Sequence, residues 1–302
     1  MADSFGESMG RVVTHPLASG VAPDWASGWG EDEFGPFASL SRGGIRQRFR
    51  WLPPAEFQCG SPKDEEGRFS DEMLVTAKLT RGLWIGDTPC TNALWAAVMG
   101  TDPESSDMAE HPVTRVSWKD IQAFMHELNE RPGVDAFRLP TDAEWEYACR
   151  GGTEGEHYGI DLGLVVGDVA WYLGNSGGQT HRVGLKLSNR FGLYDTLGNV
   201  DEWVADAATY DVDTGEVRGD FGGVDAWSRS GEERVIRGGS WGAPPQYVRA
   251  AYRDALLPGG RDDDLGFRLA RGQGVQASTG GGARGAGRAT EPEPGHLHGG
   301  QQ

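Results

Sequence analysis

The side chains that could do chemistry in this 302-residue chain are few, and their spacing excludes several reactions. Cys59, Cys90 and Cys149 stand far apart and form no CxxC pair, so neither a disulfide framework nor a thiolate zinc site is expected. Glu144 and Glu146 lie two positions apart on a predicted helix. They point away from each other, which excludes a paired general acid and base. "GNSGG" (174–178) has glycines but neither a following helix nor a lysine, so it is no phosphate cradle. "RDDD" (261–264) carries enough charge to hold a cation and otherwise reads as a solvated turn. The stretch 238–270, "GGSWGAPPQYVRAAYRDALLPGGRDDDLGFRLA", has two stiff ends around a middle rich in Gly, Pro, Ala and Asp, and it contains no cysteine.

These residues must be positioned by a large core. Hydrophobic residues make up 37% of the chain, with 47 Gly and 11 Trp, which predicts a globular domain of many turns and short strands. "IRQRFRWLP" (45–53) alternates as a half-buried strand does, and "MLVTAKLT" (73–80) is a second strand candidate. Thr91 caps a helix over "NALWAAVM" that Gly100 stops, with Leu94, Ala97 and Val98 on one face. Ser117 and Asp120 form a capping box before a helix whose Ile121, Phe124, Met125 and Leu128 follow helical spacing, ended by Pro132-Gly133. "FRLP" (137–140) is a short strand. Thr141 and Glu144 then box the start of "TDAEWEYACRGG". Trp145, Ala148 and Cys149 share that helix's inner face, so Cys149 reads as a small buried hydrophobe. After residue 152 the pattern predicts irregular backbone around a few short strands.

Residues 1–22 read as a flexible N-terminal arm, 23–271 as one domain, and 272–302 as a disordered tail in which His296 and His298 are solvated. The net charge of -17, without a basic stripe, excludes nucleic acid as a partner; solubility, divalent cations or a cationic ligand are the readings of that acidity. No apolar run approaches the length of a membrane span, so no membrane insertion is expected. The acidic N-terminus lacks a signal-like apolar segment, and a cytoplasmic, reduced protein is the expectation.

"FRLPTDAEWEYACRGG" (137–152), "FGLYDTLGNVDEW" (191–203), "RVIRGGSW" (234–241) and "LGFRLA" (265–270) occur in the order found in the formylglycine-generating enzyme, or sulfatase-modifying factor, family. "GSPKDEEGRFSDE" (60–72), "TPCTNALWAAVMG" (88–100) and "HPVTRVSW" (111–118) resemble it too, so the resemblance covers roughly 45–271. It implies an α+β fold, the family's variant of the C-type lectin fold. Small antiparallel sheets and two main helices would carry long irregular loops rich in Gly and Trp. Active members hold copper with two cysteines, since soft Cu(I) favours thiolates. Aligning "RAAYR" (249–253) with the family motif puts Ala250 at the second cysteine and the first near Pro245, so no copper is expected. A sister branch uses iron held by histidines; His15, His111 and His126 are not spaced as such a set. The resemblance also implies a structural calcium ion on the side chains of Asp195 and Glu202 and the carbonyls of Gly198 and Val200, the oxygen donors a hard cation takes. A tight turn around Asn199 is the other reading of that loop.

The same fold serves variable proteins of diversity-generating retroelements, in which residues between a GGSW-like start and a GFR-like end vary on a fixed scaffold. The implied function is a catalytically degenerate binding module for a protein or small-molecule ligand. Candidate contacts are Trp241, Gln246, Tyr247, Arg249, Tyr252, Arg253, Asp254, Leu256, Leu257 and Arg261. Aromatic and arginine side chains are good anchors of binding energy. The alternative is an oxidoreductase of the same family acting on a thiol substrate.

Overall fold

The computed structural model describes residues 16–18, 20–102, 105–129 and 136–272. The expected tail lies almost wholly, and the expected arm for the most part, outside these residues, as do His15, His296, His298 and the Pro132-Gly133 stop.

The three predicted helices form where their caps place them. Helix α1 (Asn92–Met99) starts on the Thr91 hydroxyl and ends at Gly100, which adopts the left-handed conformation. Helix α2 (Trp118–Leu128) has the Ser117–Asp120 capping box, and α3 (Asp142–Arg150) the Thr141–Glu144 box. Each box satisfies two backbone N–H groups that helix geometry leaves without partners. A short fourth helix, α4 (Val166–Val169), lies in the long irregular region.

Three sheets surround these helices. Strands β1 (Gly28–Asp32), β2 (Gly35–Arg42), β3 (Ile45–Leu52), β4 (Ala55–Cys59), β5 (Val75–Leu79) and β6 (Leu83–Gly86) precede α1. The two-residue β7 (Phe137–Arg138) lies between α2 and α3. Strands β8 (Asp201–Asp211), β9 (Glu216–Arg218), β10 (Gly223–Val224), β11 (Glu233–Arg237), β12 (Arg253–Leu256), β13 (Leu265–Phe267) and β14 (Ala270–Arg271) follow. The first sheet runs β1-β2-β3-β6-β14-β7 and the second β10-β5-β4; the third runs β12-β11-β8-β13, with β9 beside β8. Pairing is antiparallel except at β10–β5 and β13–β8. The last strand, β14, thus sits inside the first sheet between β6 and β7, which fixes the "LGFRLA" end of the terminal segment in the core.

The β1–β2 hairpin and the eleven-residue β8 were not expected from the sequence. Strand β8 is buried on both faces over most of its length, so it shows no alternation of apolar and polar residues. The main core joins α1 and α2 to the sheets. Phe124 stacks on Trp95 with ring centres 5.0 Å apart and meets Phe267 edge-on at 5.3 Å. Trp145, Ala148 and Cys149 are fully buried, as the inner face of α3 predicted. Among the described residues no helix is long and apolar enough to cross a membrane.

Candidate functional site

The "GGSW" start of the terminal segment is fixed by backbone geometry. Gly238 and Gly239 have φ of 102° and 68°, where a side chain is strained. A Cβ at Gly239 would also lie 2.7 Å from the Tyr247 carbonyl oxygen. The chain then passes through a short 3-10 turn (Pro245–Tyr247) into β12, which pairs with β11 from Arg253↔Arg237 to Leu256↔Arg234.

Beneath this segment lies a buried charge network. Arg237 Nε is 3.0 Å from Asp142 and its Nη2 is 2.5 Å from Glu146. Arg253 Nη2 lies 2.8 Å from Asp142, 3.0 Å from Glu146 and 3.2 Å from Cys59 Sγ. Arg150 adds a third guanidinium to Glu146 at 2.7 Å. Burial pushes the Glu146 carboxyl up, but Arg150, Arg237 and Arg253 outweigh it and hold it at about 2. Cys59, Asp142 and Glu146 come close enough for a metal to bridge them. The Arg253 guanidinium occupies that place, and burial together with Glu146 raises the Cys59 thiol far from its thiolate form.

A second anchor holds the segment's middle. Arg249 Nη1 is 2.6 Å from Glu65 and 2.9 Å from Glu72, and Nη2 donates to the Gly67 carbonyl at 2.9 Å. These partners belong to the 60–72 loop, so Arg249 ties that loop to the terminal segment. Arg249 and Arg253 were expected as surface contacts. That expectation is corrected: both are buried and paired with internal carboxylates rather than exposed on the surface.

The other candidate contacts face outward or lie at the rim. Tyr247 and Tyr252 pack with Phe69 in a half-buried aromatic cluster, with ring centres 5.0–5.8 Å apart. The Tyr252 hydroxyl is 3.4 Å from Asp254, and burial raises the Asp254 carboxyl. Leu256 and Leu257 are exposed, as is Gln246. Arg261 is exposed and forms a two-pronged contact with Asp120, at 2.8 Å from each nitrogen.

Two cavities flank the segment. The smaller, of about 280 Å³, is lined by Pro245, Gln246 and Arg249 with Gly67, Glu156 and His157. It is the place nearest the aligned copper position. Pro245 and Ala250 offer no ligand there, and the three cysteines are all buried. The larger cavity, of about 550 Å³, lies between Trp241, Asp263, Gln179, the 113–116 segment that leads into α2, and α1. The sequence reading missed it, because its walls come from segments far apart in the chain.

The proposed calcium ligands do not form a free set. The Glu202 carboxylate takes N–H groups from Arg268 at 2.7–3.1 Å and from the Trp145 indole at 2.7 Å. Those bonds fill its acceptor sites. The Gly198 carbonyl accepts from Val200 N–H at 2.8 Å. Asp195 is buried and accepts from Gly184 N–H at 2.6 Å, while its Oδ1 has no hydrogen-bond partner. Arg268 thus supplies positive charge at Glu202 from within the chain, while Asp195 keeps a buried oxygen free of hydrogen bonds. The exposed Asp262–Asp264 cluster is close-set, but Asp263 lies 3.6 Å from Arg115 and Asp264 accepts from Ser240 at 2.6 Å. Of the histidines, His111 bonds Thr180 at 3.0 Å and His126 is exposed on α2.

Comparison with known proteins agrees with this architecture. Residues 47–273 match the family described as the sulfatase-modifying factor enzyme 1-like domain. The chain is 31% identical over 228 residues to the formylglycine-generating enzyme of Mus musculus, covering 68% of this chain and 56% of that one. It is 30% identical over 229 residues to the inactive C-alpha-formylglycine-generating enzyme 2 of Bos taurus, covering 69% and 66%. The chain thus spans between half and two thirds of these curated relatives. Treponema denticola variable protein 1 has a similar structure, with a TM-score of 0.67 and 29% identity over 78% of this chain and 98% of that one.

Proposed function

Because the chain belongs to the sulfatase-modifying factor family, we propose that it is a catalytically degenerate member which binds a protein or small-molecule ligand through residues 241–264. One observation carries the reading. Arg249 and Arg253 are buried on acids of distant segments and Ala250, Ala251 and Ala255 are buried beside them, so the segment is anchored inward at these positions while Gln246, Leu256, Leu257 and Arg261 are left exposed. Their outward neighbours can then change without loss of the core. The likeness to a variable protein of the same fold supports such a surface, and the likeness to an inactive relative supports loss of oxidase chemistry.

The chemistry of the donor set points the same way. No residue from 238 to 270 is a cysteine, and the thiols at Cys59, Cys90 and Cys149 are buried with raised pKa values. A copper-held thiolate pair of the family's kind cannot be assembled on this face. The test compares partner capture by the wild type and by Tyr247→Ala/Tyr252→Ala, alongside a copper(I) titration with a thiol-peptide oxidation assay. Capture that depends on the two tyrosines, without peptide oxidation, is expected. Stoichiometric copper binding with peptide turnover would overturn the reading.

A further inference from the structure

The larger cavity gives the proposed surface a chemical preference. Its inner wall is apolar, made by Trp95, Ala96, Met108, Val113 and Val116. Trp241 flanks it. Asp102, Asp120 and Asp263 line it together with Arg115, and Arg261, outside the lining, pairs with Asp120. Three carboxylates against two guanidinium groups leave the mouth negative, on a chain whose net charge is already -17.

Arg115 does not close the site firmly. Arg115 reaches Asp263 only at 3.6 Å, with both side chains more than half exposed. Arg261 meets Asp120 at 2.7 Å with its own side chain half exposed. The Arg115 pair, exposed on both sides, contributes little and exchanges readily, whereas the two-pronged Arg261 contact holds Asp120 and leaves Asp102 and Asp263 to carry the charge of the cavity. Burial raises the Asp264 carboxyl, and Asp262 and Asp263 raise it further, as expected where negative charge is crowded.

Building on the binding-module reading, we infer that this cavity takes a lysine or arginine side chain presented by a peptide segment of the partner. The long aliphatic stem of such a side chain would lie along Trp95, Met108 and Val113, as amphipathic side chains do on apolar surface. Its cationic head would meet Asp263 and Asp102 at the rim and the Trp241 ring. A cation over an indole face gains from the ring quadrupole. The negative field of the chain would speed the approach of a basic segment. An acidic or purely apolar side chain would leave the rim carboxylates repelled or uncompensated.

The experiment titrates the full chain with four short acetylated peptides that differ only at a central residue: arginine, lysine, norleucine or glutamate. Binding is read by calorimetry and tryptophan fluorescence. The arginine and lysine peptides should bind saturably and at least about ten-fold more tightly than the norleucine peptide, with affinity falling as salt rises from about 50 to about 500 mM. Asp263→Asn/Asp102→Asn should weaken the arginine peptide about five-fold or more without moving the melting temperature. Equal binding of the norleucine or glutamate peptide, or no saturable binding of any, would overturn the inference. Failure here is distinct from failure of the wider reading. A partner captured through Tyr247 and Tyr252 but indifferent to competing arginine peptide and to Asp263→Asn refutes the cavity's role alone. Selective arginine-peptide binding by a chain that also binds copper stoichiometrically and oxidises the thiol peptide upholds the cavity and refutes the wider reading.

Discussion

The indole N–H of Trp241 points at the main-chain oxygen of Asp263, 3.4 Å away. The start and the end of the outward segment therefore meet at one edge of the larger cavity. The bond is long and its site exposed, so it contributes little to stability. Trp241→Ala should lower the melting temperature by only a few degrees, in line with about 1 kcal/mol for a half-buried ring. A loss comparable to that of a core tryptophan in thermal melts would mean that Trp241 is structural and does not present itself to a ligand.

The inward arginines should behave in the opposite way. Arg253→Ala leaves Asp142 and Glu146 buried with one guanidinium fewer, and breaking a buried pair costs about 3–5 kcal/mol. Leu257→Ser, on an exposed side chain, should change stability by less than about 0.5 kcal/mol. Urea unfolding of the two variants measures the contrast directly. Similar values for both would remove the distinction between anchor and presenter.

A pH dependence follows from Asp87. Burial pushes its carboxyl up from 3.8 to about 6, with Arg48, Arg50 and Arg268 opposing only in part. Below about pH 4 the group is protonated in both folded and unfolded chains and contributes no difference. Between about pH 4 and 6 the unfolded chain releases the proton first, so stability falls as pH rises; above about 6 the loss is complete. Asp87→Asn keeps an oxygen for the Gln47 amide, now 3.2 Å away, and removes the loss. At pH 7.5 the variant should be more stable by about 1–2 kcal/mol, a value reduced because Asp87 retains some contact with water. The gain should vanish near pH 4 in chemical denaturation curves. A gain that persists at pH 4 would assign the effect to packing instead.

Calcium should leave the protein unmoved. An ion held with a dissociation constant of about 0.1–1 mM would add roughly 1–2 kcal/mol at about 5 mM calcium. That would raise the melting temperature by several degrees. With Glu202 filled by Arg268 and Trp145, a shift below about 1 °C is expected in calcium relative to EDTA. A rise of several degrees would show that an ion engages Asp195 despite Arg268.

Much of the scaffold could be read from local chemistry. Thr91, Ser117, Thr141 and Gly100 announce helix ends because capping is a property of a few adjacent residues. The "GGSW" and "LGFRLA" ends stood out because their glycines and apolar runs leave few alternatives. The inner polarity of α3 was harder to see. Asp142, Glu146 and Arg150 repeat every four residues on the face that holds Trp145, yet charged residues are ordinarily assigned to solvent. Only the arrival of Arg237 and Arg253 from distant strands makes their burial tolerable, and pairings over such separations leave no local mark. The same cause misplaced Arg249 and Arg253 on the surface and hid the cavity beside Trp241. Outward tyrosines and inward arginines within one short segment differ in partners, not in type or spacing.

The most direct measurement of the central claim pairs stability with affinity on one segment. Wild type, Tyr247→Ala/Tyr252→Ala and the captured partner are examined by thermal melting and calorimetry. Loss of the Phe69–Tyr247–Tyr252 cluster should cost roughly 1–3 kcal/mol of stability, leaving a cooperative melt. Affinity for the partner should fall at least about thirty-fold, the loss expected of an interface anchor. A variant that melts cooperatively and binds the partner as tightly as wild type would contradict the account.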